Sequence, residues 1–102
     1  MKKLDTKQLI SFNPDSKNSF ILFDSDQVRL ALFCSEPGQG VKKCRSNSRV
    51  MMTVLEGEGI FLTEGEEVVG GPSSVIIWEP GEAHGYVAKT RLVFLATIAP
   101  RP

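Results

Sequence analysis

A single histidine, His84, and only two cysteines, Cys34 and Cys44, stand among the 102 residues. One histidine excludes a His-rich metal centre supplied by this chain alone. Two cysteines ten positions apart fit neither a zinc signature nor the dense disulfide framework of a small secreted domain. Both are expected as free thiols. Neither sign of charge prevails, with twelve Lys and Arg against twelve Asp and Glu. Surfaces that hold nucleic acid or anionic membranes usually carry a basic excess, so neither partner is expected. No apolar run approaches the roughly 20 residues of a membrane span. Met1-Lys2-Lys3 is not followed by an apolar stretch. No signal peptide is therefore expected, and the cytoplasm is the expected location. Internal repeats and low-complexity tracts are lacking, as is any segment with the length and period of an amphipathic helix.

What is present is an ordinary globular mix, 41% hydrophobic and 24% charged. It suits one domain over residues 1–102, small enough that pairing with a second copy would add stability. From Ser19 onward short apolar runs alternate with Gly, Pro and Asp breaks, which is an all-β pattern. The runs are Phe20 to Phe23, Val28 to Phe33, Arg49 to Leu55, Ile60 to Thr63, Glu67 to Val69, Val75 to Trp78 and Arg91 to Ile98. Thr63-Glu64-Gly65-Glu66 reads as a tight hairpin turn, since Gly65 accepts positive φ. The first segment has two readings. Asp5 and Gln8 suit the start of a short helix, and Leu9 to Phe12 suits a strand. Val50 to Leu55 and Leu92 to Ala96 are apolar on both parities. They are expected to be buried on both faces, one against a barrel core and the other against a second sheet or subunit. Spacing of this kind predicts a sandwich or barrel.

Two stretches carry a more specific signal. In the first, Gly38 is followed by Cys44, Ser46 and Val50, and then by Leu55-Glu56-Gly57-Glu58-Gly59. In the second, Ser73 is followed by Glu79-Pro80-Gly81-Glu82-Ala83-His84-Gly85-Tyr86 and Ala88. The order and separation resemble the two motifs of the cupin superfamily over about residues 28–100. In those motifs Gly38, Gly57, Gly81 and His84 match. Cys44 and Ser46 fall on two histidine positions and Val50 on a glutamate position. Ser73, Glu79 and Ala88 replace Gly, Pro and Asn. The resemblance implies a small type-2 cupin, a double-stranded β-helix or jelly-roll barrel, with divergent metal-binding motifs.

That divergence bounds the chemistry. Positions 44, 46 and 50 share parity, so on one extended strand system they would face the same side. Val50 cannot ligate, and Ser46 is a poor ligand for a first-row metal. His84 and Cys44 remain as one nitrogen and one sulfur donor. No cofactor is assigned; a divalent metal on His84 and Cys44 is an open alternative. His84 is either a hydrogen-bonded pocket residue or a general acid–base. Cys44 is either a small packing residue or, beside His84, a nucleophile or redox-sensitive thiol. Tyr86 shares parity with His84, so the expected ligand cavity comprises His84, Cys44, Ser46, Tyr86 and Met52. Arg45 and Arg49, in a basic cluster with Lys42 and Lys43, are candidate anion contacts, or else solvated charges balanced by nearby glutamates. Trp78 lines either the cavity or an interface. Three functions stay open: a small-molecule-binding cupin acting as a homodimer, a metal-dependent enzyme of isomerase or dioxygenase type, and a structural or regulatory oligomerisation module.

Overall fold

The computed structural model describes residues 1–102. A single turn of helix, α1 (Thr6–Leu9), precedes nine strands: β1 (Asn18–Asp24), β2 (Arg29–Ser35), β3 (Gly40–Cys44), β4 (Arg49–Glu56), β5 (Gly59–Thr63), β6 (Glu66–Gly70), β7 (Val75–Trp78), β8 (His84–Ala88) and β9 (Leu92–Ala99). They form two antiparallel sheets, ordered β1-β2-β9-β4-β7 and β3-β8-β5-β6. This is the expected all-β architecture, and every apolar run falls on a strand. β3 and β8 have no counterpart among the runs: Gly40-Val41-Lys42-Lys43-Cys44 has little apolar content, and His84-Gly85 interrupts that of β8. The expected hairpin is present: Thr63 pairs with Glu66, and Gly65 turns at φ 68°.

Alternation explains the core. Along β4, Val50, Met52 and Val54 are buried while Met51, Thr53 and Leu55 are half-buried. The buried set meets Leu92, Phe94 and Ala96 of β9, and Phe61, Tyr86 and Ala88 of the other sheet. Aromatic rings fill the middle. Phe33 stacks on Phe94 with ring centres 5.0 Å apart, and Tyr86 meets Phe94 edge-on at 4.8 Å.

The second face of the five-stranded sheet is covered differently from the expectation. No second sheet lies on Leu32, Cys34 and Val93; the N-terminal segment does, through Leu9, Ile10 and Phe12. Of the two readings of that segment the helix is the one formed, although Asp5 makes no side-chain cap. Leu9 to Phe12 adds no strand, since its apolar side chains are used to cap the sheet from outside.

The turn before β7 keeps a glycine geometry without glycine. Ser73 has φ 74°, a left-handed conformation that costs an L-residue about 1–2 kcal/mol. Its N–H donates to Val54 O at 2.9 Å, and Val54 N–H donates to Ser74 O at 2.9 Å. These bonds hold the backbone in place. Ser73→Gly is therefore expected to stabilise the fold by about 1 kcal/mol, part of the relief being lost to added chain entropy. Urea unfolding of the two proteins checks this; an unchanged or lower midpoint would contradict it.

Candidate functional site

His84 opens β8 because Pro80-Gly81 turns the chain just before it, with Gly81 at φ 88°. Its register partner is Cys44, the last residue of β3. The two side chains meet there, with Cys44 Sγ 3.5 Å from His84 Nε2. Behind them lies Trp78, its ring centre 5.9 Å from that of His84. The thiol is exposed and the imidazole half-buried, so the pair forms a solvent-facing ledge at the end of the β3–β8 ladder.

The other expected cavity residues do not join it. The shared parity of positions 44, 46 and 50 fails, because the chain leaves one sheet at Cys44 and enters the other at Arg49. Ser46 lies in that connection, its Oγ accepting the Ser48 N–H at 3.3 Å. Val50 points into the apolar core, as does Met52. Tyr86 is fully buried, and its Oη shares a 2.8 Å hydrogen bond with Ser35 Oγ. The expected cavity of His84, Cys44, Ser46, Tyr86 and Met52 is thus corrected to the Cys44–His84 pair. The interior where Tyr86 and Met52 would meet a ligand is filled by Phe33, Phe61 and Phe94. Sequence parity gives which residues point inward, but not whether the inside is hollow.

The arginines are engaged. Arg45 donates to Gly81 O at 2.7 Å and pairs with Glu64 at 2.9 Å. Arg49 pairs with Glu79 at 2.7 Å. An anion would have to displace a carboxylate at either one, which favours the solvated, balanced reading of this cluster. Cys34 lies across the sandwich from Cys44, on the outer face of the five-stranded sheet, and both thiols are free.

The donor set can be tested against a metal. A separation of 3.5 Å between sulfur and nitrogen suits two ligands of one tetrahedral ion. No group of three His, Cys, Asp or Glu side chains converges anywhere in the structure. Structural and catalytic zinc sites take four and three protein ligands, so these residues do not make up a protein-supplied metal centre.

Burial also sets the alkaline behaviour. The Tyr86 phenol is pushed above its ordinary 10.0, first by loss of water around it. Burial likewise pushes the Cys34 thiol above 9.0. In the unfolded chain both groups ionise at their ordinary values, while the folded chain keeps its protons. Stability is therefore fully present below about pH 9 and falls as pH rises past the unfolded values toward the folded ones. Denaturant midpoints measured from neutral to strongly alkaline pH should fall, and the fall should shrink in Tyr86→Phe.

No family model matches the chain, and no curated protein does. Solved structures match it over its whole length. The TT1209 protein of Thermus thermophilus is 28% identical with a TM-score of 0.94, covering 100% of both chains. An RmlC-like cupin from Desulfovibrio desulfuricans is 25% identical with a TM-score of 0.90, covering 98% of this chain and 97% of the other. A cupin superfamily protein from Desulfitobacterium hafniense is 21% identical with a TM-score of 0.89, over 98% and 92%.

Proposed function

Starting from a small single-domain cupin fold, we propose that the chain binds a small polar molecule on the Cys44–His84 ledge. The observation that carries this reading is the 3.5 Å contact between the two side chains. It sits at the only position where two chemically versatile groups of the motif residues come together. The imidazole offers a donor and an acceptor, the thiol a weak donor, and the Trp78 ring an apolar backing. The protein acts in the cytoplasm on this reading, where both thiols stay reduced.

The test uses the uniqueness of the histidine. Small polar acids, amines and sugars are screened by thermal shift, since a ligand of the folded state raises Tm by mass action. Each hit is then followed on the His84 ring resonances, which have no overlap from other histidines. Expected is a hit that moves those resonances and whose Tm shift is lost in His84→Asn. Hits that leave the imidazole untouched would defeat the reading. The S–N spacing favours one second reading, a metal-dependent enzyme whose ion is completed by substrate or a second subunit. Stoichiometric metal in protein purified without a tag, lost in His84→Ala, would put that reading in place of the first.

The same proposal includes a homodimer. Beyond the N-terminal segment, the outer face of the five-stranded sheet presents Met51, Thr53, Leu95 and Thr97 half-buried, with Val75 and Ile77 exposed. None of these side chains is charged, in a protein where 24% of residues are. A neutral stretch of this kind, bounded at one end by the Arg49–Glu79 pair, suits a second copy. Light scattering gives the mass directly, and a clean monomer at micromolar concentration would remove this part.

A further inference from the structure

Each sheet ends in a strand without a partner on the same side of the sandwich: β7 in the five-stranded sheet and β6 in the other. The two strands face each other across an open seam. Trp78 bridges the two sheets at its inner end, its Nε1–H donating at 3.0 Å to Leu62 O of β5, the strand beside β6. Beside this bridge lies a cavity of about 300 Å³, the lower end of the range for small-molecule sites. Phe61 and Trp78 form its floor, and Val68 and Ile76 stand on its walls.

The polar groups of the cavity have one sign. They are Thr63, Glu66 and Glu82, with no Lys, Arg or His among the lining residues. Thr63 pairs with Glu66 and Phe61 with Val68, so alternation turns Glu66 to the same side as the floor. Neither Glu66 nor Glu82 belongs to any ion pair of the molecule. Glu82 Oε1 accepts the Glu79 N–H at 2.8 Å, which fixes the carboxylate and leaves its second oxygen free. One cation, Lys43, lines the adjoining depression that also touches Glu66, but it pairs with neither carboxylate.

We propose that this seam is a second binding site, which shares the Trp78 ring with the Cys44–His84 ledge but neither of its polar groups, for a small organic ammonium ion with an apolar or aromatic body. The body displaces water from Phe61, Val68, Ile76 and Trp78, which is favourable in proportion to the apolar area covered. The ammonium group reaches the two free carboxylates at the rim, where a charge-assisted hydrogen bond forms. The aromatic floor adds the attraction of a ring face for a cation. An anion of the same shape meets two like charges and is excluded.

Phenethylammonium is the probe, with 2-phenylethanol and 3-phenylpropanoate as its neutral and anionic counterparts. Trp78 is the single tryptophan, so indole fluorescence reports on the site, and amide shifts map it. Expected is saturable binding of the ammonium, with the alcohol about tenfold weaker, as one charge-assisted hydrogen bond would give, and no binding of the carboxylate. Affinity should fall with added salt. Both glutamates are exposed, so their replacement leaves the fold intact. The preference for ammonium over alcohol should vanish in the Glu66→Gln/Glu82→Gln double variant and persist in His84→Asn. The site is refuted by no saturable signal up to millimolar probe, by equal binding of the alcohol, by a preference that survives in the double variant, or by shifts that map away from β6 and β7.

Discussion

Phe94→Ala is expected to lower the unfolding free energy by about 3–5 kcal/mol. Phe94 is fully buried at the centre of β9. Its ring stacks on Phe33 and meets Tyr86 and Phe61 edge-on. Removing it deletes apolar surface and leaves a void whose walls belong to both sheets. Those walls cannot collapse freely, because the backbones around them are tied by ladders on either side. A native stability of roughly 5–15 kcal/mol is usual for such domains, so the variant should sit near the edge of folding. Each kcal/mol moves Tm by about 4–8 °C at this size. Thermal and urea unfolding followed by circular dichroism check the expectation. A loss below about 1 kcal/mol would mean that the aromatic cluster is not the packed core of the protein.

Gly57→Ala is expected to cost about 2–5 kcal/mol, adding the left-handed penalty to the strain of overpacking. Gly57 has φ 80°, and a Cβ there would overlap the Arg91 carbonyl, with Thr90 Oγ1 at 2.9 Å. That neighbour is not free to move. Glu58 O accepts the N–H groups of Lys89 and Thr90 at 2.9 and 3.2 Å, and Glu58 N–H donates to Thr90 Oγ1 at 3.0 Å. Gly81→Ala is the control. It has φ 88° but nothing within 4 Å of the added carbon, so only the conformational penalty of about 1–2 kcal/mol applies. Equal losses in the two variants would show that backbone angle alone, and not the close approach to Arg91, makes glycine necessary at position 57.

Much of the scaffold was legible in the residues. Alternation and turn chemistry located the strands, and the motif glycines marked places where the backbone is now seen at positive φ, as at Gly38, Gly57 and Gly81. Ser73 shows the limit of that signal, since its conformation is that of a glycine while its identity is not. The pairing of Cys44 with His84 was approachable from the motif resemblance, which placed both on ligand positions. Ser46 and Val50 were misplaced because parity carries meaning only while the chain stays in one strand. Tyr86 and Met52 were assigned a cavity that Phe33, Phe61 and Phe94 occupy, and how far rings from separate strands fill a barrel depends on distances no local pattern contains. The seam between β6 and β7 was invisible for a similar reason. Glu66 and Glu82 read as two of many surface acids until the sheet order brought them to one opening.

The placement of β9 also governs when the fold can be completed. It lies between β2 and β4, pairing Arg29 with Ile98 on one side and Arg49 with Ala99 on the other. β2 and β4 share no ladder of their own. Until residues 92–99 are available, the five-stranded sheet therefore exists only as two fragments, β1-β2 and β4-β7. Non-local pairing of this kind is slow to form. During synthesis the growing chain must carry those fragments with their central edges unpaired and apolar. β9 acts as the wedge that joins them, and until it is made those unpaired edges leave the chain open to self-association.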